Sequence, residues 1–199
     1  MSDPGIQRLI ARLVPEGARV LDLGCGDGAL LDLLQRERGC TGYGVEIADG
    51  NVLQCVRRGV DVLQLNLDEG LAMFDDASFD VVLQIDTLQH LRNAEVMLSE
   101  TARVGRLGIV AFPNFAHWPN RLSVARGRMP VTRRLPYEWY DTPNLRFTTL
   151  RDLEALFDRL GFTIDRVYTY TQEGRRLRMY GRAANLLAGA AIYVMRPSR

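Results

Sequence analysis

Residues 20–28, VLDLGCGDG, decide the fold of this 199-residue chain. A short apolar strand is predicted at residues 19–23, three glycines follow it at alternate positions, and a leucine-rich helix is predicted over residues 29–36. A glycine-rich turn from a strand into a helix lies at the carboxyl edge of an open α/β sheet, where such sheets bind ligands. The stretch therefore predicts an α/β fold with a ligand site at this turn.

Further strands are predicted after this turn by short apolar runs. These runs cover residues 43–47, 62–65, 79–85 and 107–112. Short apolar strands that alternate with helices are typical of a parallel sheet covered on both faces. The pattern predicts a doubly wound, Rossmann-like sheet.

Helices are predicted between these strands by apolar residues at helical spacing and by capping residues. An amphipathic helix is predicted at residues 6–13, and Asn93 opens another after the fourth strand. Asp49 is predicted to cap a third helix, which turns three apolar side chains to one face: Val52, Leu53 and Val56.

The C-terminal part resumes the alternation after residue 147. Thr149 is a candidate N-cap for a helix that Gly161 ends, and strands are predicted at residues 162–170 and 191–196. The two strands are joined by an arginine-rich loop, which suggests a terminal hairpin. We expect a single domain over residues 1–199.

Residues 113–147 interrupt the alternation of strands and helices, and no βα unit is predicted there. This segment holds five of the eight prolines, six aromatic residues with both tryptophans, and six arginines against two acids. A long irregular segment in a compact domain is usually functional or disordered, and the aromatic content argues against disorder. We expect a lid or a docking surface for a partner, the alternative being an apolar cover for the sheet. The candidate residues for contact with a partner or substrate are His117, Trp118, Arg121, Trp139 and Tyr140.

The composition excludes several classes of protein. All 25 basic residues are arginine, so Schiff-base catalysis, a lysine-anchored pyridoxal cofactor and a GxxxxGK[ST] phosphate loop are excluded. Three cysteines without a CxxC pair favour neither a disulfide framework nor a metal site. Without a secretory leader or a long apolar run, the chain is expected to be cytoplasmic and not to enter membranes. A pI near 7.7 and the lack of an RNP motif disfavour nucleic acid.

The glycine turn fits two classes of cofactor. Gly24, Gly26 and Ala29 satisfy the dinucleotide pattern, and Glu46 lies where an acid that binds ribose belongs in either class. Asp22 would place negative charge near the pyrophosphate of a dinucleotide. S-adenosylmethionine instead brings an ammonium and a sulfonium, so the charge favours S-adenosylmethionine or S-adenosylhomocysteine, with a dinucleotide or a purely structural turn as alternatives.

The motifs from residue 19 to 112 resemble the class I S-adenosylmethionine-dependent methyltransferases. They are VLDLGCGDG, YGVEI, LNLDEGL and FDVVLQIDTLQH. With the later stretches PNFAHWPNR, GRMPVT and LPYEWYDTPN, nearly the whole chain is similar to the methionine-biosynthesis family MetW. The resemblance implies a seven-stranded sheet whose last strand is antiparallel. It also implies a partnership with the homoserine O-acyltransferase of methionine synthesis.

The resemblance also implies roles for individual residues of the cofactor site. Gly24, Cys25 and Gly26 would lie under the methionine moiety, with Gly28 in the same turn and Asp22 holding the ammonium. The remaining residues would bind as follows: Glu46 the ribose hydroxyls, with Ile47 beside it, Asn66 and Leu67 the adenine, and Ile85 the methionine end. Leu65-Asn66 departs from the Gly-Asp pair expected of related sequences. The alternative for Asn66 is a turn residue that bonds its own backbone.

No catalytic residue stands out from the sequence. His90 and His117 are candidates, and a structural hydrogen bond explains a lone histidine equally well. Three hypotheses remain: a cofactor-binding partner of the acyltransferase, a methyltransferase for a small molecule, and an NAD-dependent oxidoreductase. In the second, one of three arginines would pair a substrate carboxylate: Arg121, Arg133 or Arg146.

Overall fold

The computed structural model describes residues 4–198, and its strands form one sheet of eight in the order β3-β2-β1-β4-β5-β8-β6-β7. The first five strands in this order are parallel, whereas β8 runs antiparallel to both β5 and β6. The strand bounds are β1 Arg19–Leu23, β2 Thr41–Glu46, β3 Val62–Gln64, β4 Phe79–Ile85, β5 Gly105–Pro113, β6 Phe162–Tyr170, β7 Arg176–Leu177 and β8 Ala190–Pro197.

The doubly wound sheet is confirmed, and the predicted number of seven strands is wrong by one. The additional strand is β7, two residues long, which pairs with the end of β6 at the edge of the sheet. The terminal hairpin of β6 and β8 lies towards one edge of the sheet, and β8, which is buried over most of its length, is inserted between β5 and β6.

Seven helices of the described residues cover the two faces of the sheet. Their bounds are α1 Pro4–Leu13, α2 Ala29–Arg38, α3 Asp49–Arg58, α4 Ala94–Val104, α5 Trp118–Ala125, α6 Leu150–Arg159 and α7 Gly181–Leu187. One apolar core contains buried residues of α1, α2 and α3, and the other contains those of α4, α6 and α7. The strands therefore have apolar side chains on both sides, as a parallel sheet of this kind requires.

The predicted N-cap of α6 is confirmed, and a glycine ends α2. Thr149 precedes α6, and its Oγ1 accepts a hydrogen bond from the backbone N–H of Asp152 at 3.1 Å. Gly39 follows α2 with φ 63°, a left-handed conformation that suits a residue without Cβ. These local signals place the boundaries of both helices correctly.

The apolar residues that the sequence places on one face of α3 do not form its buried face. Leu53 and Val56 are 50% and 65% exposed, and Cys55 is the buried residue of this helix. Asp49 is the first helical residue rather than the cap, which is Ala48.

Two helices were not predicted. The first, α5, lies within the segment 113–147, with Pro119 in its first turn, so this segment is partly helical. The second, α7, lies in the connection between β6 and β8. No helix in the described part of the chain is long and apolar enough to cross a membrane.

Candidate functional site

Two cavities meet at Gly24, beyond the carboxyl ends of β1, β2 and β4. The large cavity, of about 460 Å³, is lined by Gly24, Val45, Glu46, Ile47, Asn51, Leu65, Asn66, Leu67, Asp68, Asp86, Thr87, His90 and Leu91. The small cavity, of about 150 Å³, is lined by Gln7, Ile10, Asp22, Gly24, Cys25, Gly26, Asp27, Leu30 and Ile85. Most of the predicted cofactor residues therefore line one continuous site.

Gly24 allows the backbone to turn between the two cavities. Its φ is 75°, and a Cβ at this position would lie 2.7 Å from Thr87 Oγ1. The Thr87 hydroxyl donates to the carbonyl of Leu23 at 2.7 Å, so it is fixed in this place. Both Gly24 N and Cys25 N donate to the carbonyl of Val45, which ties the turn to β2. A side chain at position 24 would force the turn away from β4.

Gly26 and Gly28 also have left-handed backbones, but they have different surroundings. A Cβ on Gly26 would meet nothing within 4 Å, so φ 57° is what favours glycine there. A Cβ on Gly28 would lie 2.9 Å from Cys55 Sγ, and Gly28 lines neither cavity. The role of Gly28 in the structure is to cap α2 against α3.

Glu46 holds the glycine turn and the start of the next connection together. One carboxylate oxygen, Oε2, accepts from Gly26 N at 2.9 Å. The other, Oε1, accepts from Ile47 N at 2.9 Å and from Ala48 N at 3.0 Å. Three backbone donors thus fix a carboxylate that is largely buried and borders the large cavity.

Asp22 contributes a buried carboxyl group to the small cavity. It is 2% exposed, and none of the described residues donates a hydrogen bond to its carboxylate. Burial, with the negative charge of Glu46 nearby, raises the pKa of Asp22 to about 7. A carboxylate in this position is a suitable partner for a cation that enters the small cavity.

Cys25 and Cys55 pack side by side beneath the turn, with their sulfur atoms 3.8 Å apart. Burial raises the pKa of both thiols, and for Cys25 the charge of Asp22 adds to the effect. Both groups are therefore neutral, and their role is to pack the turn against α3.

Asn66 takes the turn role that the sequence left open. Its Oδ1 accepts from Asp68 N at 3.1 Å, which caps the short 3₁₀ turn Leu67–Glu69. Asn66 and Leu67 also line the large cavity, so their contact with an adenine stays a prediction.

Several residues that line the cavities were not predicted as site residues. They are Gln7, Ile10, Asp27, Leu30, Val45, Asn51, Leu65, Asp68, Asp86, Thr87 and Leu91, whereas His90, a catalytic candidate from the sequence, does line the large cavity. Asp86 is notable because it has a left-handed backbone, with φ 56°, at the end of β4. Its position directly after a predicted strand could have indicated a site residue. Gln7 and Ile10 lie on α1, and their approach to the glycine turn depends on tertiary packing.

The candidate residues of segment 113–147 do not line either cavity. His117 is buried, its Nδ1 lies 3.2 Å from Gln172 Nε2, and desolvation lowers its pKa. Arg121 Nε donates to the carbonyl of Ala116. By contrast, Trp118, Trp139 and Tyr140 are 50%, 70% and 71% exposed. Of these five candidates, His117 and Arg121 are thus held by contacts within the chain, whereas the three aromatic rings are exposed.

The sequence is similar to proteins of methionine biosynthesis. Residues 6–195 match the family described as "Methionine biosynthesis protein MetW". The bifunctional methionine biosynthesis protein MetXA/MetW of Rhodopirellula baltica is 38% identical over 179 residues, which are 84% of this chain and 29% of that protein. A fatty-acid O-methyltransferase of Mycolicibacterium smegmatis is 29% identical over 163 residues, 76% of this chain and 56% of that protein. The chain spans less than two thirds of either relative.

Solved structures share the architecture over almost the whole chain. A SAM-dependent methyltransferase from Archaeoglobus fulgidus is 18% identical with a TM-score of 0.68, and the match covers 96% of this chain and 92% of that one. The cyclase SpnF is 17% identical with a TM-score of 0.70, and the match covers 98% and 81%. The fold is therefore that of class I methyltransferases, and because a cyclase shares it, the fold alone does not define the reaction.

Proposed function

The chain belongs to the MetW family, and on that premise we propose that it binds S-adenosylmethionine or S-adenosylhomocysteine. We further propose that it acts in methionine biosynthesis with homoserine O-acyltransferase, as a partner or regulatory subunit. The observation that carries the cofactor proposal is the pair of cavities that meet at Gly24, one with a buried carboxyl group and one with a fixed carboxylate.

The two cavities match the two halves of S-adenosylmethionine in size and in chemical character. The small cavity suits the methionine half, because the ammonium would meet Asp22, which lacks a donor among the described residues. The large cavity suits the adenosine half, since its apolar walls can cover a base. Glu46 Oε1 accepts from two backbone donors and Oε2 from one, so Oε2 keeps a lone pair that can accept from a ribose hydroxyl.

The charge of the site disfavours a dinucleotide. Five carboxyl side chains line the two cavities, and no arginine of the described residues does so: Asp22, Asp27, Glu46, Asp68 and Asp86. A pyrophosphate would lie among these acids without a cation to balance it. The sulfonium and ammonium of S-adenosylmethionine would be attracted by the same charges.

The proposal of a partner rests on the exposed rings and on a relative. Large exposed aromatic side chains are typical of interface hot spots, and the segment 113–147 presents five of them: Trp118, Tyr137, Trp139, Tyr140 and Phe147. In the Rhodopirellula baltica protein, whose name joins MetXA to MetW, both parts share one chain. This arrangement supports a physical association between the MetW part and a second enzyme of the same biosynthesis.

A second candidate function is methyl transfer to a small molecule. The observation that favours it is His90, which borders the large cavity and could take a proton from an acceptor. The three arginines considered for a substrate carboxylate lie outside the lining of both cavities. The side chains of Arg121 and Arg146 already donate to backbone carbonyls. An acceptor at this site would therefore be neutral or cationic.

Calorimetric titration of the purified chain with S-adenosylmethionine, S-adenosylhomocysteine and NAD tests the cofactor proposal. We expect the first two to bind and NAD not to bind. The same titrations after addition of the homoserine O-acyltransferase from the same source test the partnership. Binding of NAD alone would reject the proposed cofactor, and absence of a complex in gel filtration would reject the proposed partner.

The affinity for S-adenosylmethionine is expected to fall as the pH is lowered from 7 to 5.5. An ammonium favours the ionised carboxylate, whereas in the unliganded chain the pKa of Asp22 is raised to about 7. Binding therefore releases a proton below pH 7, and the affinity should fall by up to about tenfold per pH unit. Titrations in buffers of different ionisation enthalpy would measure this release. The variant Asp22→Asn should bind more weakly at pH 7.5 and show a flat profile, and an unchanged profile would remove Asp22 from the site.

A further inference from the structure

We propose that occupancy of the large cavity orders the exposed aromatic segment through the rim that they share, and that Arg146 is the positioning residue of this connection. The inference rests on the proposed function, since the ligand in question is S-adenosylmethionine. The cofactor site would thereby regulate the segment 113–147, which is the proposed docking surface for the partner. The rim is defined here as residues 88–92, which follow β4, together with residues 143–146 of the segment.

The backbone of the segment is hydrogen bonded directly to the edge of the cavity. The carbonyl of Gln89 accepts from Leu145 N at 2.7 Å and from Arg146 N at 3.0 Å. Its neighbours in sequence, His90 and Leu91, line the large cavity. Movement of residues 88–92 on ligand binding would therefore move the segment.

A second contact involves the ring of His90. Its Nδ1 lies 3.2 Å from the carbonyl of Pro143, so the protonated Nδ1 tautomer donates a hydrogen bond across the rim. The same side chain borders the cavity on its other side. A ligand that packs against His90 would hold the ring in the orientation that this bond needs.

A third contact connects the far wall of the cavity to the segment through Arg92. Asp68, which lines the cavity, accepts from Arg92 N at 2.8 Å. The carbonyl of Arg92 in turn accepts from the guanidinium of Arg146. A continuous series of hydrogen bonds thus runs from an adenine-side residue of the cavity to the segment.

The rest of the segment has little internal structure to hold it. Between the end of α5 and the start of α6, the described residues form no helix or strand and one isolated bridge, Thr132 with Leu135. Trp139 and Tyr140 pack edge to face at 5.6 Å and are otherwise exposed. Regions with few buried contacts open at low free energy, so the rim contacts should decide how well this segment is ordered.

Such a connection has a reciprocal consequence. If S-adenosylmethionine orders the segment, then a partner that needs the ordered segment binds more tightly to the loaded chain, and the partner raises the cofactor affinity by the same factor. S-adenosylmethionine bound at one site would in this way change the affinity of another surface for its partner.

The test needs no partner protein, because both tryptophans of the chain lie in the segment and neither lines the cavity. Hydrogen exchange and tryptophan emission are measured with and without S-adenosylmethionine at ten times its Kd. We expect the Leu145 and Arg146 amides to exchange about tenfold more slowly with ligand, and the emission to change. Calorimetry on the same samples establishes that the ligand is bound.

Variants at position 146 separate the connection from the binding itself. Arg146→Ala should still bind S-adenosylmethionine but lose most of the ligand-induced protection and the change in emission. Arg146→Lys, which keeps a cationic donor, should restore part of both. The matched control is Arg126→Ala, which removes an exposed arginine of the same segment that lies outside the rim.

Each result decides the inference. Bound ligand without slower exchange at residues 143–146 would overturn the connection while the proposed cofactor stands. Full protection in Arg146→Ala would overturn the role of Arg146. Absence of binding in calorimetry would overturn both the cofactor proposal and the inference that rests on it.

Discussion

The variant Glu46→Gln is expected to bind S-adenosylmethionine about 100-fold more weakly than the natural chain. Glutamine has one acceptor oxygen, and its NH₂ group would face at least one of the three backbone donors that the carboxylate satisfies. Hydrogen bonds to charged acceptors contribute about 1.5–3 kcal/mol each, and about 3 kcal/mol corresponds to this loss of affinity. The effect combines weaker ribose binding with a displaced glycine turn.

Calorimetric titration at pH 7.5 measures the effect, with Asp32→Asn as the matched control. Asp32 is an acid of α2 that lines neither cavity and whose ion-pair partner, Arg36, is exposed. Circular dichroism would establish that both variants are folded. An affinity of Glu46→Gln within twofold of the natural chain would exclude Glu46 from the ribose site.

Most strands of this fold are readily predicted from sequence because they are short, largely apolar runs between polar turns. The runs at β1, β4 and β6 coincide with the observed strands, and the others differ by a few residues at their ends. Strands buried on both faces leave a continuous apolar signal that needs no knowledge of their neighbours.

Helix α3 shows where periodicity fails. The spacing of Val52, Leu53 and Val56 places them on one face of the helix, but the residue that α3 buries is Cys55, which packs against Cys25 and Gly28. Spacing identifies an apolar stripe, and which stripe is buried depends on the neighbouring elements. The exposure of this apolar face is therefore determined by tertiary packing.

The missed helix α5 had a sequence signal of its own. Pro119 falls in the first turn of a helix, a position where proline is favoured because its missing N–H has no partner to lose. The concentration of proline and aromatic residues in this segment obscured that signal. Helix α7 is seven residues long, so it gives hardly two turns of periodicity.

The candidate site was predictable where one motif carries it and not where distant segments meet. Glu46 and Asp22 follow from the turn and the next strand. The role of Thr87 as the wall behind Gly24 depends on the contact between β1 and β4, and the hold of Arg92 on Asp68 joins residues 24 positions apart. Such contacts are set by packing, which a single sequence does not encode locally.

The double variant Trp118→Ala, Trp139→Ala is expected to weaken the complex with homoserine O-acyltransferase by about 2 kcal/mol or more, or about 30-fold. Both rings are large and at least half exposed, so a partner can bury them, whereas neither lines the cofactor cavities. The affinity for S-adenosylmethionine in the absence of the partner should stay within twofold. Co-purification of tagged chains, followed by interferometry with and without cofactor, measures both quantities.

The matched control for this variant is Tyr180→Ala, which removes an aromatic ring that is 66% exposed but lies outside the segment. If the segment is the docking surface, this control keeps full affinity for the acyltransferase while the double variant loses it. A lid over a methyl acceptor would give the opposite pattern, because the loss of both tryptophans would then impair turnover or cofactor retention and leave the complex intact. A folded double variant that binds the acyltransferase with unchanged affinity would reject docking through this segment and favour the small-molecule methyltransferase.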